Sequence, residues 1–229
     1  MTLIRSISGI RGTIGGAPGE GLTPIDVVRY TAAFTTLMRQ RSASTSVPER
    51  ANRRPRMVLG RDARISGPMV SDLVRGTLTG MGYDVVDLDL ATTPTVEMAV
   101  PGEKADGGII LTASHNPGQW NALKLLNAKG EFISAADGAE VLRIAEEGNY
   151  QFAPVEQLGT VRSASGWTGK HIDAILELDL VDVEAIRKAN LRVVVDAVNS
   201  VGGEAVPALL TALGVLQVVE IHCTPTGHF

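Results

Sequence analysis

Gly107-Gly108-Ile109-Ile110-Leu111-Thr112-Ala113-Ser114-His115-Asn116-Pro117 is a short apolar run that ends in a hydroxyl-bearing turn. Ile109, Ile110 and Leu111 read as the end of a buried strand, and Asn116-Pro117 is a turn signal that stops it. Ser114 therefore stands at the C-terminal end of a strand. Ligands of open α/β sheets bind at that edge, which suits a reactive serine. An ordinary strand-to-turn connection, with Ser and Asn bonded to nearby backbone, fits the same residues, and local physics leaves both open.

Outward from this stretch the chain alternates. Met57 to Gly60 reads as a strand, Gly67 to Gly80 as a helix and Tyr83 to Leu88 as the next strand. A helix near Pro94 to Val100, the strand Asp106 to Leu111, a short strand Ala122 to Leu126 and a helix Ala135 to Glu147 follow. Such β-α-β order needs crossover helices and favours parallel pairing under covering helices. Upstream, Thr23-Pro24 opens a helix whose apolar face, from Val27 to Met38, runs to about Gln40. Residues 1–156 are expected to form a first domain, 157–169 a connection and 170–229 a second α/β unit. In that unit Lys170 to Leu178 and Val183 to Ala189 read as helices, followed by strand Leu191 to Val195, helix Gly203 to Leu213 and strand Val215 to Ile221. Two strands are too few for a covered parallel sheet, so the second domain is expected to be incomplete.

The 229 residues, 44% hydrophobic with mean hydropathy +0.12, support a real core. A net charge of −4 and a pI near 5.6 give no general attraction to nucleic acid or anionic membrane. Arg41 to Arg56 is rich in Ser, Arg and Pro but lacks interleaved aromatics, and reads as a solvated loop rather than a nucleic-acid patch. One cysteine, Cys223, excludes an internal disulfide and fits a reducing compartment, read as cytoplasm. Neither a signal peptide nor an apolar run of ~18 residues is evident. No G-x-G-x-x-G or P-loop pattern occurs, and Asp87-Leu88-Asp89 offers two carboxylates in a strand rather than a metal loop. His222, Cys223 and His228 are too loosely spaced for zinc.

Residues 107 to 124, through Trp120-Asn121-Ala122-Leu123-Lys124, resemble the phosphoserine loop of the α-D-phosphohexomutases. Ser8-Gly9-Ile10-Arg11-Gly12, Gly60-Arg61-Asp62 with Arg64 and Ser66-Gly67-Pro68, Thr93-Pro94-Thr95, and Val193 to Asn199 with Gly202-Gly203 agree in order. The resemblance implies an α/β fold: a three-layer α/β/α domain with a mixed, largely parallel sheet, plus part of a second, similar domain. It implies that Ser114 carries a phosphoryl group and exchanges it with a hexose phosphate through a bisphosphate, moving phosphate between carbons one and six. A hexose bisphosphate would be the activator. Mg²⁺ would be held through the Ser114 phosphoryl group and by aspartates outside this chain.

His115 and Lys124 match the family's phosphoserine partner and its acid/base or charge-neutralising lysine. Without the motif, Lys124 reads as a solvated lysine on a short edge strand, and His115 as a hydrogen bonder that fixes the loop. Arg11 matches the arginine that approaches the serine or a substrate phosphate, its planar fork suited to bidentate contact; the plainer reading is a flexible N-terminal turn. Asn116 is expected to shape the loop, and Arg61, Asp62 and Arg64 to form an ion-pair network supporting the site. The opening Ser8 to Thr13 leans toward glucosamine phosphate, with glucose and mannose phosphates as alternatives. A noncatalytic sugar-phosphate sensor is the remaining alternative. A serine hydrolase fits poorly, because Ser114 and His115 are adjacent and no G-x-S-x-G elbow exists.

Overall fold

The computed structural model describes residues 2–6, 9–43 and 53–229. The centre of the fold is a seven-stranded sheet in the order β1-β2-β6-β5-β3-β4-β7. Its strands are β1 (Ile4–Ser6), β2 (Gly9–Thr13), β3 (Arg56–Arg61), β4 (Asp84–Leu90), β5 (Gly107–Leu111), β6 (Trp120–Leu126) and β7 (Val161–Ser163). β5, β3, β4 and β7 run parallel, with Met57 against Gly107 and Arg61 against Leu111. β6, β2 and β1 continue the sheet by antiparallel pairing.

Strand period decides the layers. Met57, Leu59, Ile109, Leu111, Leu123 and Leu125 face α1 (Pro24–Ala43), α2 (Gly67–Gly80) and α4 (Ala135–Glu147), meeting Phe34, Val74 and Ile144. Val58, Val86, Ile110 and Leu126 face α3 (Thr93–Gly102) with Val96, Ala99 and Val100. α3 lies close because glycines receive it: a Cβ on Gly60 would stand 2.4 Å from Val96 Cγ2, and one on Gly108 2.7 Å from Val100 Cγ2. The result is the three-layer α/β/α arrangement that the family resemblance implied, with the covering helices that the alternation called for.

The second unit comprises α5 (Trp167–Leu176), α6 (Val183–Lys188), β8 (Arg192–Asp196), α7 (Gly202–Ala212) and β9 (Gln217–Ile221). β8 and β9 form a parallel pair, and on one face Val194 and Val219 are 63% and 58% exposed. α5 joins the unit to the first: Trp167 packs on Gly102, its Nε1 donates to Glu103, and Thr95 Oγ1 meets His171 Nδ1 at 2.9 Å.

Several expectations change in detail. Arg11 does not lie in a flexible turn; it is in β2, paired with Ala122. β6 is not an edge strand, since β5 and β2 flank it. The 157–169 stretch contributes β7 to the sheet beside β4. α5 begins before Gly169, because Gly166 at φ +86 turns the chain and Trp167 anchors the first turn. Residues 44–52 of the arginine-rich stretch, and Ser8, lie outside the described residues. Arg53 and Arg56 are engaged by Asp106 and by the Glu103 carbonyl. No helix among the described residues is long and apolar enough to cross a membrane.

Candidate active site

The chain leaves β3 and β5 side by side, so Asp62 to Arg64 and Thr112 to Pro117 meet at the carboxyl edge of the sheet. The Asp62 N–H donates to the Leu111 carbonyl at 3.0 Å. Thr112 Oγ1 donates to Asp62 Oδ2 at 2.6 Å and accepts from the Ser114 N–H at 3.1 Å. This threonine is a working residue that the sequence reading did not single out. Its signal was a hydroxyl two residues before the serine, the spacing of a local side-chain turn.

Arg64 is fully buried. Its Nε donates to Asp62, Nη1 to the carbonyls of Pro117 and Trp120, and Nη2 to those of Ser114 and Asn116, at 2.7–3.1 Å. Every N–H of the guanidinium is thereby used. Asn116 Nδ2 and its own N–H both donate to the Ala113 carbonyl, closing the turn.

Held this way, Ser114 adopts φ +55 with its side chain exposed. A non-glycine residue in the left-handed region costs about 1–3 kcal/mol and persists where its surroundings over-determine it. His115 is exposed beside it.

Arg11 stands on the α3 side of the sheet, and Lys124 is two residues along β6 from Arg11's partner Ala122, hence on the same face. Arg11 Nε is buried and has no hydrogen-bond partner among the described residues. Lys124 is half-buried with its Nζ 5.7 Å from the centre of the Phe132 ring. Burial pushes the Glu97 carboxyl, on α3, above its ordinary range, and the Lys124 ammonium draws it back. Arg61 pairs with Asp89 at 2.7 Å and donates to the Asp62 carbonyl. Arg61, Asp62 and Arg64 are thus linked in one network beneath the loop.

An exposed hydroxyl on a strained, tightly held loop thus stands at the carboxyl edge of an α/β/α domain, and an arginine and a lysine share one face of the same sheet. The chain belongs to the phosphoglucomutase/phosphomannomutase family. Residues 3–151 match its alpha/beta/alpha domain I and residues 169–229 its domain II. A phosphoglucomutase/phosphomannomutase of Thermococcus kodakarensis is 36% identical over 95% of this chain and 45% of its own length. A phosphoglucosamine/phosphogalactosamine mutase of Sulfurisphaera tokodaii is 31% identical over 90% and 41%. The crystal structure of a phosphoglucomutase/phosphomannomutase family protein from Burkholderia thailandensis shares the fold, with TM-score 0.76 at 23% identity, covering 99% of this chain and 46% of that one. The chain spans under half the length of these two curated relatives.

Proposed function

We propose that this chain supplies the phosphoserine half of a hexose-phosphate mutase. The observation that carries the reading is Ser114, exposed at φ +55 on a loop fixed from beneath by Arg64. In the proposed reaction a sugar hydroxyl attacks the phosphorus carried on Ser114 Oγ. The new sugar O–P bond forms as the P–Oγ bond breaks, the hydroxyl proton passes to a base, and Ser114 regains a proton. Reversal from the other phosphate of the bisphosphate returns a phosphoryl group to Ser114 and leaves the isomeric monophosphate.

Arg11 would turn its planar guanidinium fork to phosphate oxygens. Lys124 would neutralise charge or move the proton after leaving the Phe132 ring, and His115 would flank the phosphoserine. Asn116 and Arg61 would act through loop and network, without touching substrate. Cys223, free and half-buried, fits a reducing cytoplasm.

The described residues do not fit a magnesium site by themselves. No group of three or more His, Cys, Asp or Glu comes together among them, and Asp87 and Asp89 are engaged by Arg75 and Arg61. Mg²⁺, if the Ser114 phosphoryl supplies one oxygen, needs its carboxylates from elsewhere.

We favour glucosamine phosphate as substrate from the Ser8 to Thr13 opening. The Thermococcus kodakarensis relative, named for glucose and mannose, supports the neutral hexoses as the second reading. The test is phosphorus NMR of the complete protein with a hexose bisphosphate, Mg²⁺ and each of glucosamine, glucose and mannose 6-phosphate, beside Ser114→Ala. Isomerisation lost in the variant identifies the reaction and the sugar. Phosphate on Ser114 without turnover of any sugar would favour a sensor, and absence of both would refute the phosphoserine.

A further inference from the structure

Arg64 lies 50 residues from the serine in sequence, yet its guanidinium bonds directly to the serine's loop. Four carbonyls, those of Ser114, Asn116, Pro117 and Trp120, converge on one buried guanidinium. Asp62 balances its charge and, through Thr112, also fixes the Ser114 N–H. Both backbone groups of Ser114 are thus tied to the Asp62–Arg64 pair. One face of the guanidinium plane is covered by the Phe229 ring, 4.9 Å away. That ring belongs to the second unit, where Asn199 Nδ2 donates to the His228 carbonyl and Gly227 donates to the Asn199 carbonyl. Gly227, at φ +75, lies so close to the turn that a Cβ would stand 2.0 Å from the Ala63 carbonyl oxygen.

We infer that Arg64 is the positioning residue of the phosphoryl-carrying serine: it sets the direction of the Ser114 hydroxyl by holding the loop's carbonyls in a planar fork, and the 225–229 segment seals it. This deepens the proposed mutase function and rests on it for its kinetic consequence alone. The geometry calls for a fork rather than a charge. A lysine keeps the charge but has three N–H groups and no plane, so it cannot serve four carbonyls and a carboxylate.

Two measurements test this. In the chain itself, hydrogen exchange of the loop's bonded amides, those of Ser114, Asn116 and Trp120, should rise about tenfold or more in Arg64→Lys, since each charged hydrogen bond lost is worth that much, while amides of β3 and β5 keep their protection. In the complete mutase, Arg64→Lys should lower kcat by about a hundredfold with KM nearly unchanged, because a small misplacement of a reacting group costs rate rather than binding. Unchanged loop exchange with intact strands would overturn the inference whatever the kinetics show, and so would unchanged kcat in an enzyme that is otherwise active. Raised loop exchange in a protein without mutase activity would leave Arg64 as the holder of the loop and refute the activity instead. Should Arg64→Lys fail to fold, the unsubstituted chain still decides. Separate, slowly exchanging Nη signals of Arg64 are expected from a fully bonded fork, and averaged, fast-exchanging signals would overturn it.

Discussion

The turns that follow β5 and β8 are built alike and backed differently. After β5, Thr112 Oγ1 accepts the N–H of Ser114 at 3.1 Å, and Ser114 takes φ +55. After β8, Asp196 Oδ1 accepts the N–H of Val198 at 3.0 Å, and Val198 and Asn199 take φ +45 and +54. Each is a strand-end side chain bonded two residues on, with a left-handed backbone behind it. Beneath Ser114, however, lies the buried Asp62–Arg64 pair, whereas the ion pair at Asp196 is with the exposed His222 at 3.2 Å. Strain therefore marks both turns, and the buried fork marks one. A left-handed residue alone is a poor sign of a functional site. A left-handed residue whose carbonyl is gripped by a buried cation is a better one.

The largest expected effect follows from removing that backing. Asp62→Asn leaves Arg64 buried without its counter-charge and should destabilise the chain by about 3–5 kcal/mol, read as a lower urea midpoint. Asp196→Asn, at a side chain 51% exposed, should move the midpoint far less, because solvent screens an exposed pair. Equal losses at the two positions would erase the distinction between the turns.

Thr112→Val comes next. It leaves the Ser114 N–H without its acceptor and removes one donor from Asp62, which should cost about 1–3 kcal/mol. The same denaturation measurement checks it, and a loss below about 0.5 kcal/mol would mean that Arg64 alone holds the turn.

Glycine at the strained positions sharpens the comparison in the other direction. Ser114→Gly and Val198→Gly both relieve a left-handed backbone, offset by roughly 0.5–1 kcal/mol of chain entropy. Net stabilisation of up to about 1 kcal/mol is expected, larger at Val198 because a β-branched residue is worse there. Thermal melts of the two variants give the order. A destabilised Val198→Gly would show that this valine side chain packs more than its 57% exposure indicates.

How much of this was legible in sequence follows from how local each determinant is. The bounds read for α2 and α4 hold to the residue, with a proline in the first turn of one and the Ser134 cap on the other. The strand at Gly107 to Leu111 and the serine after it were legible because an apolar run meets a turn signal. β7 was not, since its three residues are all exposed and carry no alternation. The place of β6 inside the sheet was hidden because strand order does not follow chain order, and with it went the edge-strand reading of Lys124. Of the ion-pair network read at Arg61, Asp62 and Arg64, the Asp62–Arg64 pair is present, while Arg61 takes Asp89 as its ion partner and reaches Asp62 only at its carbonyl. That Arg64 would gather four carbonyls from a loop fifty residues away, and that Phe229 would cover it, are facts of tertiary packing with no local signal.

The smallest expected effect lies in how the exposed turn titrates. The Val198 N–H, and after it His222, hold the Asp196 carboxyl below its ordinary range. A carboxylate whose folded value is depressed stabilises the fold fully above the ordinary value of 3.8 and loses that contribution as pH falls through the lower folded value. Carboxyl carbon shifts followed by NMR should therefore place the Asp196 midpoint below that of a free aspartate. Because the backbone donor is the larger cause, His222→Gln should return it only partway. A full return would make the exposed histidine the main anchor of this turn, and the likeness to the Thr112–Ser114 turn, where the side-chain oxygen is fixed by its bond to the backbone two residues on, would fail at the point that defines it.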